Sequence, residues 1–229
     1  MDNIKIIKDV NNIKYEVLQP VIQDLHPIFN YPFSMTILGQ KRSGKSNFIQ
    51  NILLNDKLFK NVFTDIFIVS PAFEMFNHLV SKPNRLFSTL NEDRLSYIVR
   101  TSEQNKEENE HTLLIMDDSM GQDILNNSLF LSIISTHRNK NLSVIMVFQN
   151  VLALPIRFRE LTDIWVIFKL NHSEIIKVSQ YIETSVITNE MAKSLLNNAL
   201  IYQNKNDFIT IDKRKNEILR NLNDVISIT

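Results

Sequence analysis

The chain has 229 residues, 44% of them hydrophobic, enough for one large domain with its own core. Its 25 basic and 25 acidic side chains cancel, so no global positive field draws in nucleic acid, and any such contact has to come from a local patch or from the inner surface of an assembly. The absence of cysteine excludes disulfides and thiolate metal sites and fits an intracellular or virion setting, and with no signal-peptide core and no apolar run of spanning length, no membrane partner is expected.

Residues 1–33 read as an N-terminal extension with one or two strands; Lys14 to Leu18 alternates weakly, and Pro20, Pro27 and Pro32 punctuate the segment. Ser34 to Leu38 is a short apolar run that predicts a buried strand. It leads into Gly39-Gln40-Lys41-Arg42-Ser43-Gly44-Lys45-Ser46, a gapless match to the phosphate-binding pattern G-x-x-x-x-G-K-[ST] that uses two of the three glycines in the chain. Asn47 to Leu54 then places Phe48, Ile49, Ile52 and Leu53 on one helical face. Strand, loop and helix in that order are the context the motif requires. Glycine allows the tight turn and brings backbone N–H groups close to phosphate oxygens, and the helix N-terminus adds partial positive charge. Lys45 is expected to reach the β- and γ-phosphates, and the Ser46 hydroxyl to coordinate Mg²⁺.

Asp65 to Val69 predicts a second buried strand, closed by Ser70-Pro71. Residues 72–110 read as polar and irregular, with a strand or short helix around Leu95 to Val99. Thr101 to Glu110 reads as a charge-rich solvated loop. Thr112 to Met116 is a third buried strand and ends in Asp117-Asp118. A helix over Ile124 to Thr136 follows, then a strand over Leu142 to Phe148 ending in Gln149-Asn150. Pro155 suits the start of a short helical segment through Leu161, and Ile164 to Phe168 is a further strand. Ser173 to Ile182 and Thr188 to Ala199 predict capped helices. Leu200 to Gln203 and Phe208 to Asp212 flank Asn204 to Asp207 as a hairpin, and the tail after Lys213 reads as charged, then weakly helical. Strands alternating with helices imply an α/β fold, a mostly parallel sheet with helices on both faces. The chain divides into the extension 1–33, a phosphate-binding domain 34–212 and a charged tail 213–229.

Ligands of such sheets bind at the carboxyl ends of the strands, where Asp117 and Asp118 fall. Asp117 is expected to join Ser46 as a Mg²⁺ ligand, and Asp118 to polarise an attacking water. Alternatively the pair caps a helix. Gln149, at the next strand end, can hydrogen-bond a γ-phosphate or the lytic water, or be a satisfied strand-end amide.

The order of Gly39 to Ser46, LLIMDD (Leu113 to Asp118), HRNKNLSVIMVFQN (His137 to Asn150) and IRFRELTDIWVIFK (Ile156 to Lys169) resembles the genome-packaging ATPases of large DNA viruses and virophages, the poxvirus-type branch of the FtsK/HerA superfamily. The resemblance spans residues 25–212. It implies a RecA-like P-loop NTPase core of the ASCE type, ATP and Mg²⁺ as cofactors, and a homo-oligomeric ring, hexamer or pentamer. The implied task is translocation of double-stranded DNA into a procapsid, with portal or vertex proteins of the capsid as partners, in the viral factory of the host cytoplasm or in the virion. Two residues depart from the pattern: Asp118 stands where many relatives carry Glu, and Leu161 where an Asn often follows the arginine before the last core strand. Motor rings complete each ATP site with an arginine from the neighbouring subunit. Arg138, Arg157 and Arg159 lie near strand ends, and the resemblance favours Arg159, then Arg138. His137 is a candidate contact to a neighbour or to DNA. The basic cluster Lys213-Arg214-Lys215, with Lys140 and Arg138, is a candidate phosphate-backbone contact if several subunits pool it. Two other functions are compatible with these motifs, an FtsK/HerA-like ATPase of phage export or DNA transfer and a slow nucleotide-dependent binding switch. The paired acids favour turnover over a switch.

Overall fold

The computed structural model describes residues 5–10, 13–18, 30–117, 123–184, 187–198, 201–222 and 224–228. β1 (Lys5–Val10) and β2 (Ile13–Leu18) form an antiparallel pair. The apolar runs then become β3 (Ser34–Leu38), β4 (Asp65–Val69), the short β5 (Leu86–Phe87), β6 (Thr112–Met116), β7 (Leu142–Phe148) and β8 (Ile164–Phe168). These are parallel, in the spatial order β8-β3-β7-β6-β4-β5. β9 (Phe208–Asp212) pairs antiparallel with β8 and is followed by β10 (Glu217–Arg220) and β11 (Asp224–Ile228), the last of which pairs with β2. The described strands thus make one sheet, parallel from β8 to the β5 edge and antiparallel from β9 to the β1 edge.

The parallel strands are apolar on both sides because both sides are covered. Along β7, Leu142, Val144, Met146 and Phe148 face one core and Ile145 and Val147 the other. The first core holds α2 (Glu92–Glu107), α3 (Ser128–Thr136), α4 (Ile156–Leu161), α5 (His172–Ser179) and α6 (Asn189–Asn197). The second holds α1 (Lys45–Leu54), through the four apolar residues the spacing predicts, Phe48, Ile49, Ile52 and Leu53.

Four expectations need correction. The segment expected to be irregular contains α2, which runs through Thr101 to Glu107. Its buried face there is polar: Thr101, Ser102 and Asn105 are buried, and Asn105 Nδ2 donates to Asp65 Oδ2 (3.1 Å) and Thr112 Oγ1 (2.9 Å). An apolar period therefore cannot reveal it. The helix expected from Ile124 is divided at Asn127, whose side chain accepts from Leu129 N (2.7 Å) and restarts the chain as α3. The hairpin lies one turn later than expected, between β9 and β10, where Asn216 takes the left-handed conformation (φ 53°). The tail is not helical but forms β10 and β11.

Candidate functional site

The phosphate-binding motif bridges β3 and α1. Gly39 N donates to Phe148 O (3.2 Å), which fastens the start of the loop to the carboxyl end of β7. A Cβ at Gly39 would stand 2.7 Å from Phe168 Cβ and 2.7 Å from Ser43 Oγ, closer than real contacts allow. Arg42 (φ 64°) and Gly44 (φ 106°) both turn left-handed, and Gly44 is the N-cap of α1 without a side-chain bond. Alternating hand curls successive N–H groups toward one concavity, and the first turn of α1 adds its own unpaired donors. Phe48 N returns to Gly44 O (2.9 Å) to start the helix. Lys45 Nζ donates to Gly39 O (2.7 Å) and Gln40 O (2.9 Å), which draws its ammonium over the loop. Ser46 is half-buried in the same first turn. Ser43 Oγ is buried with no hydrogen-bond partner among the described residues.

Two strands away, Asp117 follows β6. Its N–H donates to Val69 O (2.8 Å), which extends the ladder, and its carboxylate is buried and accepts from Ser70 Oγ (3.3 Å). Ser70 is itself fixed, since its N–H donates to Phe87 O (2.9 Å) and its Oγ accepts from Ala72 N (3.1 Å). This orienting serine was missed in the sequence, although its place at the end of a strand beside an acid-bearing strand was the available signal. Gln149, half-buried, ends β7, the strand between β3 and β6. Asp118 lies outside the described residues. The fold therefore brings Gly39 to Ser46, Asp117 and Gln149 to one edge of the sheet, the carboxyl edge.

These residues fit a magnesium nucleotide. A side chain at Gly39 would collide with Phe168 and Ser43, so the loop keeps its tight course only with glycine there, and it contributes backbone donors and an ammonium for phosphate oxygens. A serine hydroxyl and a carboxylate are the hard oxygen donors that Mg²⁺ takes.

Arg138 and Arg159 are not brought to this edge. Arg138 pairs with Asp163, which stands just before the amino end of β8. Arg159 is buried: Nε donates to Leu154 O (2.7 Å), Nη1 donates to Tyr181 OH (2.9 Å), and the guanidinium lies over the Tyr181 ring at 5.0 Å. Both serve their own chain. Arg157, by contrast, is exposed on α4 and makes no hydrogen bond or ion pair among the described residues. Ile156, its neighbour in sequence, is 60% exposed, and Leu152, in the turn before α4, is 56% exposed. His137, expected at a surface, is buried. Its Nδ1 lies 2.6 Å from Ile134 O, and burial is the main cause that holds its pKa below the ordinary 6.5. In the basic cluster, Arg214 pairs with Asp212 and donates to Asn30 O (2.7 Å), while Lys140 pairs with Glu103.

Residues 23–213 match the family model of the Poxvirus A32 protein. No match is found among curated proteins. Among solved structures, the chain is similar to the genome packaging NTPase B204 from Sulfolobus turreted icosahedral virus 2 in complex with AMP, at 17% identity and a TM-score of 0.63, covering 84% of this chain and 98% of that one. It is similar to B204, the DNA-packaging ATPase from Sulfolobus turreted icosahedral virus, at 16% identity and a TM-score of 0.60, covering 84% and 98%. A third likeness is to the cytoplasmic domain of the Thermomonospora curvata type VII secretion ATPase EccC, at 12% identity and a TM-score of 0.50, covering 87% of this chain and 24% of that one. At these identities the likeness is one of fold. No helix among the described residues is long and apolar enough to cross a membrane.

Proposed function

We propose, from the premise that the chain belongs to the Poxvirus A32 protein family, that it is a viral genome-packaging ATPase. It binds ATP at the Gly39–Ser46 loop, hydrolyses it, and uses the turnover to move double-stranded DNA into a capsid. The observation that carries this reading is the family match over residues 23–213 together with a left-handed, glycine-built loop two strands from a buried, serine-held Asp117. The similar packaging NTPase B204 is seen with AMP, AMPPCP and ATP-gammaS, which supports an adenine nucleotide as the ligand here.

The loop amides and Lys45 bind the phosphates, Lys45 by exchanging the carbonyls of Gly39 and Gln40 for phosphate oxygens. Ser46 and Asp117 would hold Mg²⁺, which neutralises charge on the phosphates. Ser70 keeps the Asp117 carboxylate aimed. Asp118 polarises the attacking water, and Gln149 hydrogen-bonds that water or the γ-phosphate. The arginine supplied in trans by the next subunit is Arg157 rather than Arg159 or Arg138, because it is exposed and makes no hydrogen bond or ion pair among the described residues, whereas Arg159 is buried on Leu154 and Tyr181 and Arg138 is paired with Asp163. Its exposed apolar neighbours Leu152 and Ile156 suit a subunit boundary. The assembly is a ring. It contacts DNA through basic groups pooled from several copies, since within one copy Arg138, Lys140 and Arg214 are each paired to an acid. Its capsid partners are portal or vertex proteins, and it works in the host cytoplasm or the virion.

A triplex-displacement assay tests the motor. Assembled protein with ATP and Mg²⁺ should strip a third strand from double-stranded DNA, and the Lys45→Ala variant should not. Hydrolysis of ATP with the third strand left in place would replace the motor with a nucleotide switch.

A further inference from the structure

The turn Asn204 to Asp207 immediately precedes β9. β9 runs antiparallel to β8, so its first residue, Phe208, lies opposite Phe168 at the carboxyl edge. A methyl group built on Gly44 would stand 3.3 Å from Asn206 Oδ1, so the carboxamide lies against the phosphate loop, 162 positions away in sequence. The turn is held from below. Asp207 accepts from Asn204 N (2.7 Å) and from Asn221 Nδ2 (3.0 Å). The Phe208 ring, 4.9 Å from Phe48 and 5.3 Å from Phe168, fastens the start of β9 to α1 and β8. Asn206 itself is exposed and makes no hydrogen bond among the described residues. A polar amide with no protein partner among the described residues, mounted on a braced turn beside a phosphate loop, is free to exchange solvent for a ligand.

The sheet order says which part of the ligand it meets. The γ-phosphate end must point toward Asp117, which lies beyond β7 on one side of β3. Asn206 lies on the other side of β3, beyond β8. A nucleotide whose terminal phosphate faces β6 extends its sugar and base toward β8 and β9.

We propose that the Asn204–Asp207 turn is the nucleoside-side wall of the site and that the Asn206 carboxamide hydrogen-bonds the sugar or base of the bound nucleoside triphosphate. This rests on the phosphate-loop reading above. The test compares two probes on the full chain with Mg²⁺: ATP, and inorganic tripolyphosphate, which has the phosphates without the nucleoside. Asn206→Ala should weaken ATP binding about tenfold, the loss of one good hydrogen bond, and leave tripolyphosphate binding unchanged. Asn206→Leu, which keeps roughly the size of the side chain without its polar atoms or any charge, should also weaken ATP and spare tripolyphosphate. Parental ATP affinity in both variants overturns the proposal. So does an equal loss of both probes, because Asn206 would then only brace the loop. Since Asp207 and Phe208 hold the turn, unchanged melting temperatures are expected. A parent chain that binds neither probe overturns the phosphate-loop reading itself and this proposal with it.

Discussion

At the amino edge of the parallel sheet, Asp163 accepts from Ser34 N (3.0 Å) and Ser34 Oγ (3.1 Å) and pairs with Arg138, and its own backbone carbonyl accepts from Lys213 N (2.9 Å). At the carboxyl edge, the loop presents a left-handed backbone at Arg42 and Gly44, a buried Ser43 Oγ without a partner, and an ammonium bonded to loop carbonyls it can exchange. Both edges are polar and both carry charges. At the first, the charges are spent on each other and define where β3 and β8 begin. At the second, backbone is held in uncommon conformations and polar atoms are left to be completed by a ligand. The packing allows little else at the start of the loop, since a side chain at Gly39 would meet Phe168 and Ser43 at 2.7 Å.

The sharpest way to break this contrast is Lys45→Ala. Hydrolysis should disappear while the melting temperature stays near that of the parent, because the lysine is half-buried at the surface of its loop and donates to the carbonyls of Gly39 and Gln40, which phosphate oxygens can replace. A variant that melts far below the parent would make the loop structural. Next in size is Arg157→Ala, expected to cost on the order of a thousandfold in rate. Rings that mix it with Lys45→Ala subunits should recover activity, because an intact loop can then face an intact arginine. Mixed rings as dead as either pure variant would return the role to Arg159 or Arg138.

Asp118→Asn should keep Mg-ATP binding and lose about a hundredfold in turnover, as expected when a proton acceptor is removed. Asp117→Asn should instead weaken the Mg²⁺-dependent part of binding, and nucleotide titrations with and without Mg²⁺ separate the two. At the amino edge the expected loss is of another kind. Asp163→Ala leaves the buried Ser34 N–H unpaired and should cost about 3 kcal/mol in urea unfolding, with the nucleotide affinity of the folded protein intact. The smallest effect is at His137. Burial first, then Arg138 and Arg214, hold its pKa below 6.5 against the opposing pull of the Ile134 carbonyl and Asp163. The unfolded chain therefore takes up a proton that the folded chain refuses, and stability falls as pH drops through that value. Melting curves at about pH 7.5 and about pH 5.5 should show a smaller drop for His137→Gln than for the parent.

The parallel strands were legible because a strand buried on both faces is a continuous apolar run, and β3, β4, β6, β7 and β8 begin and end where those runs do. The strand, loop and helix around Gly39 to Ser46 were legible because the motif and its flanks are local in sequence. The second half of α2 was not, since Asn105 faces inward to bond Asp65 and Thr112, and a buried polar network looks like a solvated loop in one dimension. Ranking the arginines also needed the fold. Only three-dimensional structure shows Arg159 folded onto Tyr181 and Arg157 left exposed. Asn206 had no signal at all, because nothing local links a turn before β9 to Gly44.

The central claim is that catalysis resides in the carboxyl-edge loop. Phosphate release from ATP by the assembled protein, followed with and without Mg²⁺ in the parent and in Lys45→Ala, tests it most directly. Steady release by the parent should require Mg²⁺ and be absent from the variant. Release at the same rate by Lys45→Ala would contradict it.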